Sequence, residues 1–306
     1  MKLNVDDLIA KKLVSVKTSP CGKYRLLKYT KKVFYDNLWH LDARLLECRG
    51  TVVDEEDNII MYPFTKVFNY SENGTGLQIS DDTEVVAVRK VNGYLAQAQR
   101  YFDGVDFKLR VTSSGSFTGD FALIAKMMIE EALAGANRKV LMSDNFTYLF
   151  EVCHAGDPHI VDEKPGVYLI GIRDGVSNKM LSENSLDNIA ATHNFLRPQW
   201  FQTVFGDVKD VIQYVRHEGF MVRDMEGETI CKFKSKHYLS KKAMMRVGKA
   251  QIEVMFDNPT GFKQRLDEEF YGCYAHIQKI GKDAWKSLDE QGRRAIIEEY
   301  FDVNDL

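Results

Sequence analysis

Residues 85–101 read VVAVRKVNGYLAQAQRY: an apolar run ends in Arg89-Lys90, meets Asn92-Gly93 and resumes as an alternating run. Asn-Gly between two strand-like runs predicts a hairpin, with Lys90 at its lip. A lysine amine with an ordinary pKa of about 10.4 is protonated at neutral pH and is no nucleophile. Neighbouring cations, a metal ion or desolvation lower that value and free the lone pair. Lys90 is therefore either a solvated turn residue or a reactive amine in a pocket.

Cations for such a pocket occur in ICKFKSKHY, where Lys232 and Lys234 are two apart on a predicted strand and so share a face. Pointed into a cleft, that face holds a polyphosphate. The bland alternative is a solvated edge strand whose lysines discourage aggregation. Carboxylates follow the same pattern. Glu151 ends TYLFE, and Glu218 lies in HEGFMVRD before a strand. Acids at the ends of buried strands suit a ribose hydroxyl or a hydrated metal ion. A second Glu-Gly, Glu226-Gly227 in DMEGET, reads as a tight hairpin turn, which leaves Glu218 as the candidate. Upstream, LLECRG supplies Arg49, and YPFTKVFNY supplies Lys66 and Phe68. Arg and Lys clamp phosphate oxygens. Phe68 packs either on a base or on the core.

Strand-like runs dominate the first 240 residues: YRLLKYT, GTVVDEEDNIIMYPF, EVVAVRK, YLAQAQRY, FKLRVT, TYLFEVC, GVYLIGI, GFMVRD and TICKFKS. Helical periodicity appears at 119–135 and 207–219, the latter with Gly219 at the expected C-cap. Beyond Ser240 the texture is helical throughout. The expected class is α+β: a body over 1–240 with antiparallel sheets and flanking helices, then an all-α domain over 241–306.

With 306 residues, 44% of them hydrophobic, the chain can bury a full core. A net charge of −3 excludes a wholesale basic coat but not a local basic groove. The five cysteines lack C-x-x-C spacing and read as reduced thiols of a cytoplasmic protein without zinc. No apolar run is long enough to span a membrane, and the start MKLNVDDLIAKKL is too charged for a signal peptide.

Taken in order, ECRG, KVFN, RKVNG, LFEV, YLIGIR, EGFMV and CKFKS resemble the covalent nucleotidyltransferase superfamily, specifically the bacteriophage-type RNA ligase 1 family. The resemblance covers most of residues 20–240. It implies that Lys90, in Lys90-Val91-Asn92-Gly93, is the adenylated nucleophile and that Glu151 meets the ribose. It implies that Glu218 supports the metal, that Lys232 and Lys234 grip the phosphates, and that Arg49 and Lys66 help bind the triphosphate. Tyr29, Phe68 and Tyr238 also match family positions, and Met221 is a candidate floor for the adenine. Asn92 replaces the more common Asp, keeping the carbonyl and losing the charge. Ser114 stands where a basic residue often precedes Gly-Ser.

The implied cofactors are ATP and Mg²⁺, with Mn²⁺ as a substitute. The implied partner is RNA with 5′-phosphate and 3′-hydroxyl ends, tRNA among the candidates, acted on by a monomer. KFKSKHYLSKKAMMRVGK offers a basic RNA surface through Lys236, Lys241, Lys242 and Lys249, or else one solvated helix face. Asp257, Asp267, Glu268 and Glu269 are candidates for a further metal ligand. A capping guanylyltransferase or DNA ligase would use the same lysine, but both usually carry a β-barrel after the core, and the helical pattern beyond 240 argues against one. A nucleotide- or RNA-binding protein without catalysis is the alternative from another class.

Overall fold

The structure, a computed structural model, describes residues 1–135 and 143–303. Among these residues, twelve strands form three antiparallel sheets. Strands β1 (Val14–Thr18), β2 (Arg25–Tyr29), β3 (Arg49–Val53) and β4 (Ile59–Met61) make an N-terminal sheet in that order. The next strands are β5 (Glu84–Arg89), β6 (Tyr94–Phe102), β7 (Phe107–Ser113), β8 (Phe146–Cys153), β9 (Gly166–Asp174), β10 (Trp200–Val204), β11 (Gly219–Arg223) and β12 (Thr229–Lys234). They divide into sheets of order β10-β5-β11-β12 and β7-β6-β8-β9. Helices α1 (Asp6–Ala10), α2 (Lys31–Tyr35), α3 (Asp120–Ala134), α4 (Glu183–His193) and α5 (Phe205–Val211) flank the sheets. Helices α6 (Lys236–Met245), α7 (Lys249–Asp257), α8 (Pro259–Lys263), α9 (Tyr271–Ile280), α10 (Lys282–Ser287) and α11 (Glu290–Val303) follow. The class is α+β, as expected.

Strand alternation explains how the layers fit. On β8, Tyr148, Phe150 and Val152 pack against α3 and α4, so Leu149 and Glu151 face the other way. On β5, β11 and β12, Val85, Ala87, Phe220, Val222, Cys231 and Phe233 pack on α5. That leaves Val88, Met221, Lys232 and Lys234 on the opposite face. The two central sheets thus turn their less apolar faces toward one cleft. The C-terminal helices form a further core around Trp285, Phe270 and Met255, which also takes in Ile160 and Tyr238.

Two local expectations fail. Asn92-Gly93 is not a hairpin turn, because β5 and β6 lie in different sheets. A two-residue type I′ turn needs positive φ at both central residues, and neither Asn92 nor Gly93 has it. The dipeptide is instead a crossover from one sheet to the other. Gly219 is not a helix C-cap either. Helix α5 ends at Val211 and gives way to a single 3₁₀ turn, while Gly219 opens β11 with φ of 138°. The chain is already in strand register there: Ser235 N donates to Glu218 O at 3.0 Å. A Cβ at 219 would strike the Phe233 carbonyl. Strands β1 and β10 and helix α4 were not anticipated. DMEGET does turn between β11 and β12, with Gly227 at φ 98°.

Candidate functional site

Between the two central sheets lies a cleft. Val88 and Met221 form one wall, Leu95 and Ile170 the other, and Phe64 and Val67 close one side. Arg49, Lys90, Glu151 and Lys232 supply polar groups to this apolar slot. Met221 pairs with Val88 across β11–β5 and with Lys232 across β11–β12, so one short stretch of sheet carries both apolar wall and cation.

Lys90 lies beside this slot, held by a buried carboxylate. Its Nζ is 2.8 Å from Glu218 Oε2, and Lys234 Nζ is 3.1 Å from Glu218 Oε1. Asn92 Nδ2 also donates to Oε2 at 2.7 Å. The Glu218 side chain is only 3% exposed, against 20% for each lysine. Glu151 accepts from Gly93 N at 3.0 Å. A Cβ at Gly93 would run into the Val152 carbonyl, so the close approach of crossover and β8 requires glycine.

The electrostatics of Lys90 reverse one expectation. Burial acts to lower its pKa, but Glu151 and then Glu218 outweigh burial and raise it. In the protein alone Lys90 is therefore held as ammonium. Burial raises Glu151, with Lys90 opposing. For Glu218 burial pushes upward, and Lys90 and Lys234 overcome it, leaving the carboxyl below its usual range. Burial depresses three amines, Lys66, Lys234 and Lys232, and takes Lys232 furthest, to about 7, with the charges of Lys66, Arg49, Lys234 and Lys90 adding to it.

Lys232 Nζ donates to Val67 O at 3.0 Å, and Lys66 Nζ reaches the same oxygen at 3.3 Å. Two cations crowd one carbonyl. Strand β12 is the edge of its sheet, yet it is no solvated edge. Lys232 N donates to Phe68 O and Tyr70 N to Lys232 O, so residues 68–70 cover it. Phe68 does not line the slot. Its ring packs edge-on to Trp39 and under Lys66 Nζ at 4.3 Å. Tyr29 also packs edge-on to Trp39, and the Tyr238 ring lies 4.9 Å from Lys234 Nζ.

A site that crowds cations costs stability. The unfolded chain holds the Lys232 proton to about pH 10, whereas the folded chain releases it near 7. The penalty is full below pH 7 and fades as pH rises toward 10. Lys232→Met should therefore raise Tm at pH 6 and leave it nearly unchanged at pH 10, read by calorimetry. The same variant should slow any phosphate chemistry in the cleft by roughly 10²–10³-fold.

Several contacts had no signal in the sequence. Arg89 pairs with Glu163 at 2.8 Å, and Glu163 accepts from Asn92 N at 3.3 Å. Val161 N donates to Asn92 Oδ1 at 3.0 Å. Ile160 sits in the C-terminal helical core, and Arg294 of α11 donates to His159 O. The segment between β8 and β9 thus straps the helices to Asn92. Arg223, which also lines the slot, pairs with Glu183 at 2.5 Å.

The basic tail is partly spent on structure: Lys241 pairs with Glu298 at 3.3 Å, and Lys242 lies 5.9 Å from the Tyr238 ring. Lys236 and Lys249 are exposed. Of the tail acids, Asp257 pairs with Lys282, Glu269 with His237 and Arg216, and Asp267 accepts from Glu268 N. Among the described residues no cluster of three or more His, Cys, Asp or Glu could hold a metal ion.

A family model described as RNA ligase matches residues 47–271. No match was found among curated proteins. Among solved structures, form 1 of an archaeal ATP-dependent RNA ligase is similar, with TM-score 0.53 and 16% identity over 96% of this chain and 74% of the other. Form 2 gives TM-score 0.54 and 14% identity over the same shares. A putative ATP-dependent DNA ligase from Aquifex aeolicus, at TM-score 0.49 and 16% identity over 97% and 76%, is too distant to carry an argument.

Proposed function

The chain belongs to the RNA ligase family, and from that premise we propose that it joins RNA 5′-phosphate and 3′-hydroxyl ends with ATP, through a lysyl-AMP on Lys90. The observation that carries this reading is the pairing of Lys90 and Lys234 on the buried Glu218 carboxylate beside an apolar slot, with Glu151 on the facing wall. Residues 1–240 would perform nucleotidyl transfer, and residues 241–306 would form a helical domain strapped to it.

The slot takes the adenine against Met221, and Glu151 accepts from a ribose hydroxyl. The triphosphate meets Lys232, Lys234, Arg49 and Lys66. The Lys90 lone pair attacks the α-phosphorus, the bond to pyrophosphate breaks and the ammonium proton is released. A phosphate oxygen of the RNA 5′ end then attacks the same phosphorus, and the N–P bond breaks. Last, the 3′-hydroxyl attacks the RNA phosphorus and AMP leaves. Charge builds on phosphate oxygens at each step, and the lysine pair stabilises it. Storing AMP on Lys90 divides one difficult displacement into easier ones.

Both Glu218 oxygens already accept N–H donors, and one carboxylate is no metal cage. That donor set fits Mg²⁺, or Mn²⁺ in its place, which keeps its waters and shares phosphate ligands. Held beside Glu218, the ion would offset phosphate charge and weaken the carboxylate's hold on the Lys90 proton.

The test is sealing of a 5′-phosphorylated RNA with ATP and Mg²⁺, beside GTP and beside a DNA strand of the same sequence. Sealing of RNA with ATP supports the reading. A covalent GMP adduct without sealing moves it to capping, and sealing of DNA alone moves it to DNA ligation. RNA repair is the proposed role, with a cleaved tRNA as one substrate to try and a monomer as the active species.

A further inference from the structure

The N-terminal segment carries an aromatic surface that the nucleotide site does not use. In α2 only Val33 is buried. Phe34 is 49% and Tyr35 75% exposed, with Leu41 at 53% close by in the chain. Phe34 and Tyr35 are adjacent rings left largely in water. They touch each other edge to face, centroids 5.4 Å apart. The loop after them is held in place: Asn37, at φ 53°, exchanges paired amide hydrogen bonds of 2.7 and 3.0 Å with Asn73.

The position of this pair is informative. Lys66 Nζ lies 5.9 Å from the Phe34 ring and shares the Val67 carbonyl with Lys232, which lines the slot. The rings therefore begin where the row of cations ends. Lys31, Lys32 and His40, near them in the chain, are exposed, with Asp36 as the opposing charge. Exposed aromatics flanked by lysines suit single-stranded nucleic acid, because every base has a face to stack and every nucleotide a phosphate. A protein partner would be served by the rings but not by their continuity with the phosphate-binding cations.

Resting on the RNA-ligase reading above, we propose that Phe34 and Tyr35 form a stacking platform for the single-stranded RNA end whose phosphate is delivered to Lys90. Tyr35 is the residue to change, because Phe34 also borders Lys66. Binding of a 5′-phosphorylated single-stranded RNA is measured by fluorescence anisotropy at fixed salt, for the native protein, Tyr35→Ala and Tyr35→Phe. Formation of lysyl-AMP from ATP without RNA is measured in parallel, and a thermal melt checks folding. Tyr35→Ala should bind RNA roughly 5- to 150-fold more weakly, with lysyl-AMP formation unchanged and Tyr35→Phe close to native. Native affinity and native sealing in Tyr35→Ala would overturn the platform. So would unchanged RNA binding together with loss of a dimer in sedimentation, which would make the patch a protein interface. If the native protein forms no lysyl-AMP at all, it is the ligase reading that fails, and the anisotropy comparison still decides the platform.

Discussion

Incubated with ATP and Mg²⁺ after pyrophosphate has stripped any bound nucleotide, the native protein should gain the mass of one AMP, and Lys90→Ala should gain none. Three amines compete for this role. Lys90 and Lys234 share Glu218, and Lys232 sits across the sheet. By protonation alone Lys232 is the better nucleophile, since its pKa is near 7 while that of Lys90 is raised. Geometry decides otherwise. Lys232 is directed at the Val67 carbonyl among other cations, which suits an oxygen ligand and not a phosphorus centre. Lys90 lines the slot with Glu151 and lies against Glu218, so in the proposed mechanism its amine would stand where sugar and phosphate meet. Its proton is held by carboxylates, and a metal ion beside Glu218 would weaken that hold. Lys90→Arg, which keeps the charge and removes the lone pair, should match Lys90→Ala. An AMP adduct that persists in Lys90→Ala and disappears in Lys232→Met would transfer the nucleophile's role to Lys232 and overturn the mechanism.

How much of this site could be read from the sequence depended on the range of the forces involved. Period-2 alternation is local, so the shared face of Lys232 and Lys234 was legible, and so was the choice of Glu218 over the turn residue Glu226. Asn92-Gly93 misled because a turn dipeptide says nothing about which sheet the next strand joins. Asn92 is fixed by Glu218, 126 positions away, and by Val161 and Glu163. Helix α4 was missed although its signals are present: Ser182 caps Ser185 N, and Asn194 closes it at φ 59°. Strands β1 and β10 were missed for a different cause. Each is five residues long with little burial, so hydrophobic periodicity has almost nothing to register. Phe68 shows the limit of residue-type reasoning. An aromatic near phosphate clamps could serve a base, but its ring supports Lys66 instead.

Glu218→Gln tests whether the cluster is machinery or only a brake on Lys90. Two opposed effects follow from losing the carboxylate charge. Lys90 loses one of the two groups that hold its proton, so its pKa falls and more free amine is present. Against this, the amide can accept at one position only and sets an N–H₂ donor against an ammonium or the Asn92 amide. Lys90 and Lys234 then repel each other with nothing between them. Misplacing the nucleophile by about 1 Å costs on the order of 10²-fold, and a displaced phosphate ligand costs roughly 10²–10³-fold. In the native protein a metal ion beside Glu218 would already loosen the proton, so the variant would gain little from its lower pKa. The net result should be lysyl-AMP formation slower by roughly 10³-fold at neutral pH, with the rising limb of its pH–rate profile moved to lower pH. The two readouts separate the roles. A shifted limb with a native or faster rate would make Glu218 a brake that the reaction can do without. A slow rate with an unshifted limb would mean that Glu151 and burial alone set the Lys90 proton, and that Glu218 acts only by position.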